Sequence, residues 1–92
     1  MQKKELESLR KEIDTVDTII LSALAKRAKL SKVIGKYKLE KGMRALDKTR
    51  KTQLIKSRIA MAKAMKISTK LANEIFSRIH KNSVAIQKNI KL

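Results

Sequence analysis

The sequence predicts an all-α fold: three helices per chain, one of them very long, assembled as an intertwined helical homodimer. Three observations carry that reading. Apolar residues recur at alternating spacings of three and four from Leu6 through Leu9, Ile13, Val16, Ile20, Ala23, Leu30 and Ile34 to Tyr37, the periodicity of a helix face. The 92 residues include no proline and only two glycines, so little interrupts a helix. Aromatic residues amount to one Tyr and one Phe, which leaves aliphatic helix packing as the source of a core.

The first helix runs over residues 3 to 40. Gly35 falls inside it and reads as a close-packing position rather than a stop. At full length this helix would span about 55 Å, against a radius of gyration near 12 Å for a compact chain of this size. Its own chain cannot cover it, and a second copy is the cheapest partner. Gly42 marks a loop over 41 to 46. Asp47 is then a suitable N-cap for a second helix reaching about Met65, with Leu54, Ile55, Ile59 and Ala62 on one side. Ser68 caps a third helix whose apolar stripe is Leu71, Ile75, Ile79, Ile86 and Ile90.

Composition bounds the function. A length of 92 residues argues for one domain over 1–92. Without cysteine there is no disulfide, thiolate nucleophile or zinc ribbon, and a lone histidine, His80, leaves little scope for a metal. His80 reads as a surface or edge residue with no assigned role. The start is charged and leads into an amphipathic run, unlike a signal peptide, and no stretch approaches a membrane span. A cytoplasmic protein is the plain expectation. The net charge of +16 calls for an anionic partner. Eighteen of the 24 basic residues are lysines, scattered and without interleaved aromatics. That pattern makes a basic nucleic-acid-binding helical protein the weaker reading, and solubility alone can explain scattered lysine.

Polar residues on apolar stripes point further. Arg27 occupies a core-facing register, and its neighbours three and four residues away, Ala23, Leu24, Leu30 and Ser31, include no acid. Its counter-charge comes from elsewhere in the protein or from a ligand; an arginine snorkelling to water is the plainer alternative. Lys38 lies eleven residues on, an offset of about 20° after three turns, so the two cations share a face and can converge on a small anion. Arg10 lies about 25 Å from Arg27 along the axis, so it could join such a site only from another subunit. In the third helix Ala72, Phe76, Ser83 and Gln87 recur at spacings of four, seven and four, a half-polar stripe that also reads as ordinary surface polarity. Asp47 with Arg50 reads first as a cap with a nearby ion-pair partner. The sequence holds no nucleophile–base pair, paired carboxylates or phosphate loop. An enzyme of this kind would hold an anionic substrate in a chosen shape and stabilise charge that develops in a rearrangement.

Several motifs in order carry a resemblance: Leu9-Arg10-Lys11-Glu12-Ile13-Asp14 with Asp17, Ala25-Lys26-Arg27, Ile34-Gly35-Lys36-Tyr37-Lys38, Asp47-Lys48-Thr49-Arg50, then Ile75-Phe76 followed by Ser83 and Gln87. Over roughly residues 6 to 88 the chain resembles the small all-helical chorismate mutases, the AroQ type. The resemblance implies an isomerase of the shikimate pathway that converts chorismate to prephenate for phenylalanine and tyrosine biosynthesis, without a cofactor, as an interlocked dimer. It implies that Arg27, and Arg10 from the other subunit, hold the substrate's carboxylates. Lys38 and Gln87 would donate to the ether oxygen, Asp47 would contact the ring hydroxyl, Arg50 would assist at a carboxylate and Ser83 would line the carboxylate end. Where that family usually places a glutamate against the substrate hydroxyl, this chain has Lys51, which reverses a charge among the substrate contacts. A related enzyme, isochorismate-pyruvate lyase, also lacks that glutamate and makes salicylate. The retained Asp47 favours the mutase.

Overall fold

The computed structural model describes residues 1–91 as three helices with no strand among them: α1 (Lys3–Glu40), α2 (Lys48–Ala64) and α3 (Thr69–Lys88). The boundaries follow from the capping chemistry. The Asp47 carboxylate accepts from the Arg50 amide at 3.0 Å, and the Ser68 hydroxyl oxygen accepts from the Leu71 amide at 3.1 Å. Each side chain thus satisfies one of the amides that a helix start leaves without a partner.

The two inner C-termini close alike. After α1, Met43 donates its amide to the Lys38 carbonyl at 2.7 Å and Gly42 to Leu39 at 3.2 Å, around Gly42 at φ +68°. After α2, Ile67 donates to Ala62 and Lys66 to Lys63, with Lys66 at φ +59°. Both are Schellman turns. Glycine takes the left-handed position in the first without steric cost, whereas Lys66 holds it against its own Cβ.

The described chain divides into two compact units, Met1–Leu30 and a second from Ser31 onward. The first is helical after Gln2 and carries large exposed apolar side chains, among them Ile13, Val16 and Ile20, each more than half exposed. The second holds the buried apolar residues Leu54, Ala62, Ala72 and Val84, where α2 packs on α3. The expected α2 face is the packed one: Leu54 and Ala62 are buried, Ile55 and Ile59 half-buried.

On α3 the packing differs from the expected stripe. Leu71 is 48% and Ile75 44% exposed, while Ala72, His80, Ser83 and Val84 are buried. Small side chains let helices approach closely, so the line of closest packing follows Ala72 and Ser83, while Ile79, Ile86 and Ile90 of the expected stripe are half-buried beside it. His80, expected at the surface, is only 9% exposed. It completes the half-polar stripe: residue 80 lies four after Phe76 and three before Ser83, inside the seven-residue gap.

Gly35 behaves as its place in the sequence suggests. A Cβ there would stand 2.9 Å from the Gln87 Cα and 3.0 Å from Ile90 Cγ1. The nearest obstacle is backbone, which cannot swing aside. Gly35→Ala is therefore expected to destabilise the protein by about 1–3 kcal/mol through overpacking, although alanine is the better helix former by up to about 1 kcal/mol. A thermal unfolding midpoint at or above that of the parent protein would contradict this.

Candidate active site

The best-defined polar constellation lies where the end of α1 meets the end of α3, within the unit that begins at Ser31. The small buried residues Ser31 and Gly35 lie on the same α1 face as Lys38, three residues beyond Gly35. That face brings Lys38 Nζ to 2.8 Å from Gln87 Oε1 and 2.8 Å from the Ala45 carbonyl, and donates to both. Lys38 and Gln87 are both half-buried.

The pair has a definite polarity. An ammonium only donates, so the glutamine must present its oxygen to Lys38, which turns the amide NH2 the other way. Two of the three N–H groups of Lys38 are engaged by these bonds, and the third points elsewhere. Lys38 and Gln87 together can thus aim donors at one acceptor from side chains already fixed by each other. A donor set held in place before reaction is what stabilises a developing oxyanion.

The remaining candidates fall into three groups by their place in the chain. Ser83 is buried on α3, one turn before Gln87. Asp47, Arg50 and Lys51 stand exposed at the start of α2, with Asp47 joined to the Arg50 backbone amide as the cap. The Lys51 side chain lines grooves between α2 and α3. Arg10, exposed, and Arg27, half-buried, belong to the Met1–Leu30 unit.

Two participants escape a reading by motif. The Ala45 carbonyl anchors Lys38, and no side-chain pattern announces a backbone acceptor. His80 shares the α3 face with Ser83 and Gln87; the gap in the stripe was the available signal.

Sequence comparison decides the family. The family model described as "Chorismate mutase type II" matches residues 9–88. The chain belongs to that family. Among curated relatives of this chorismate mutase family member, the "T-protein" of Enterobacter agglomerans is 32% identical over 79 residues, covering 86% of this chain and 21% of the relative. The "Intracellular chorismate mutase" of Mycolicibacterium smegmatis is 37% identical over 51 residues, 55% of this chain and 49% of the relative. The chain thus spans about half or less of the length of these relatives. Among solved structures, a conserved hypothetical protein from Pyrococcus furiosus superposes with a TM-score of 0.71 at 31% identity, covering 94% of this chain and 99% of that one. The all-helical, three-helix fold of the chorismate mutase type II chain is therefore matched over 94% of its length by a solved structure. Among the described residues no helix is long and apolar enough to cross a membrane.

Proposed function

We propose that this chain is a chorismate mutase, which rearranges chorismate to prephenate in phenylalanine and tyrosine biosynthesis within the cytoplasm. The observation that carries the reading is the Lys38–Gln87 pair at 2.8 Å, in a chain of this family. The reaction is an intramolecular [3,3] shift: a C–O bond breaks, a C–C bond forms, and no group leaves the molecule. Negative charge grows on the ether oxygen as the C–O bond lengthens. Lys38 and the Gln87 amide donate to that oxygen, and the interaction strengthens on the way to the transition state, so it accelerates the step rather than merely binding substrate.

The other roles follow the family resemblance. Arg27 holds one carboxylate and Arg10 of a second copy another, since a guanidinium forms two parallel bonds to a carboxylate. Asp47 accepts from the ring hydroxyl through the carboxylate that also caps α2. Arg50 assists at a carboxylate, Ser83 lines the carboxylate end, and Lys51 faces the substrate. The homodimer gains support from the apolar side chains that α1 exposes. Ile13, Val16 and Ile20 on one helical face are what a second copy would bury.

Lys51 supports one competing reading, isochorismate-pyruvate lyase, because a cation stands where a carboxylate is usual. Supplying purified protein with chorismate and, separately, with isochorismate distinguishes the two. Prephenate from chorismate is the expected result. Salicylate and pyruvate from isochorismate, with little prephenate, would make the chain a lyase. Neither product from a folded protein would leave it a binding protein.

A further inference from the structure

The charge of this chain is unevenly placed. Beyond Glu40 it holds 14 of its 24 basic residues but only two of its eight acids, Asp47 and Glu74. The Asp47 carboxylate is engaged as the α2 cap, and α2 itself has six cations and no acid. Two grooves along the seam of α2 and α3 concentrate this excess. One, of about 550 Å³, is lined by Lys48, Thr52, Ile55 and Lys56 of α2 and by Asn73 and Ser77 of α3. The other, of about 740 Å³, runs along α3 past Arg78 and Lys81 to Lys88, and Glu74 is the one acid in either lining. They share Leu46, Lys51 and Ser77, so they form one trough, about 22 Å long between the levels of Asn73 and Lys88.

The cations of the trough occupy a face of α3 of their own. At about 100° per residue, Arg78, Lys81 and Lys88 centre about 150° around the helix from Ser83 and Gln87, and about 120° from the stripe that runs from Leu71 to Ile90. Neither Ser83 nor Gln87 lines the trough. A second copy that buries the isoleucine stripe leaves the cationic face open. The lining also has an aliphatic floor in Leu46, Ile55 and Ala85. A nucleic-acid backbone would meet the lysines but leave that floor unused, and no aromatic ring lines the trough for a base to stack on. A helix with one apolar face and acidic flanks satisfies both parts, and a third helix laid in the groove between two makes ordinary ridge-into-groove contacts. We propose that this trough is a docking surface for an acidic amphipathic helix of another protein, about four turns long. Its apolar residues lie on the aliphatic floor, and its carboxylates meet Lys48, Lys56, Arg78 and Lys81 at the rim. Charge at the rim speeds the encounter and selects an acidic partner, while the floor fixes the register. The inference does not depend on the reaction the protein catalyses.

Fluorescence anisotropy with labelled synthetic peptides, added to the full chain at about 0.1 M salt, tests this. The probe is a peptide of about 16 residues with leucines along one helical face and glutamates elsewhere. The control has the same composition with its leucines spread around the helix. The probe is expected to bind at least about tenfold tighter than the control, and the Lys56→Glu/Arg78→Glu variant should bind it at least about tenfold more weakly than the parent. The charge-matched Lys3→Glu/Lys4→Glu variant, altered outside the lining, should stay within about threefold of the parent. Thermal unfolding is measured on each variant. Should the double variant in the trough fail to fold, Lys81→Glu alone is read in its place, with at least about threefold weaker binding expected. No binding of the probe, equal binding of probe and control, or equal loss in the two double variants would overturn the proposal. So would a DNA duplex of about 20 base pairs that binds tighter than the probe and is weakened by the same substitutions, which makes the surface one for nucleic acid. Self-association beyond a dimer that Lys56→Glu/Arg78→Glu abolishes would make a second copy the occupant instead.

Discussion

Replacing Lys38 by alanine is expected to lower turnover of chorismate by at least about a hundredfold while the helices stay intact, the loss typical of removing one oxyanion donor. The geometry explains the size. In the proposed mechanism Lys38 donates to the ether oxygen, and it also fixes Gln87, whose amide oxygen it holds at 2.8 Å. Removing it deletes one donor and frees the other to rotate. The fold should survive, because the Lys38 carbonyl keeps its bond from the Met43 amide whatever the side chain. The lost bond to the Ala45 carbonyl should cost about 1 kcal/mol of stability. Circular dichroism and turnover measured on one preparation separate the two effects. Turnover like that of the parent would remove Lys38 from the mechanism.

Arg10→Ala and Arg27→Ala should each be nearly inactive, yet mixing the two variants should restore part of the activity. Each active site of a homodimer would draw Arg27 from one copy and Arg10 from the other. A mixed dimer therefore keeps one site with both arginines and one with neither. Recovery can reach at most half the parent activity per mixed dimer. In the proposed site each guanidinium would bind a carboxylate through charge-assisted bonds, so truncation would sacrifice both affinity and orientation. Confirmed mixed dimers without recovery would rule out a site shared between copies.

The helical architecture was legible because its punctuation is local. Asp47 and Ser68 are side chains whose capping role depends only on the next three residues, and both caps form as expected. Gly42 and Gly35 were equally readable, the first from backbone freedom and the second from its place inside an unbroken periodic stretch. The α3 packing was less so. Hydropathy ranks residues by how much they gain from burial, whereas the closest approach of two helices is set by which side chains are small enough to permit it. That is why Leu71 and Ile75 lie half open while Ala72 and Ser83 are covered. His80 lies buried against the expectation for a related reason: an ionisable side chain suggests solvent, and only its register with Ser83 and Gln87 argues otherwise. Lys38 and Gln87 are 49 residues apart in sequence, and motif order brought them together where periodicity could not.

The absent side chain at Gly35 acts as a spacer of zero thickness. It sits one helical turn before Lys38 and directly against the backbone of Gln87, so it sets the gap across which the two donors meet. A gap defined in this way has no slack in one direction: any added atom wedges the helices apart and pulls ammonium from amide. A hydrogen bond is ordinary only within about half an ångström and weakens steeply once its angle falls below about 120°, so a wedge that tilts as well as separates the two side chains costs this bond first. If this junction is where the reaction occurs, as proposed, its alignment has less tolerance than the fold that carries it, and variants at residue 35 are expected to lose activity before they lose the helices.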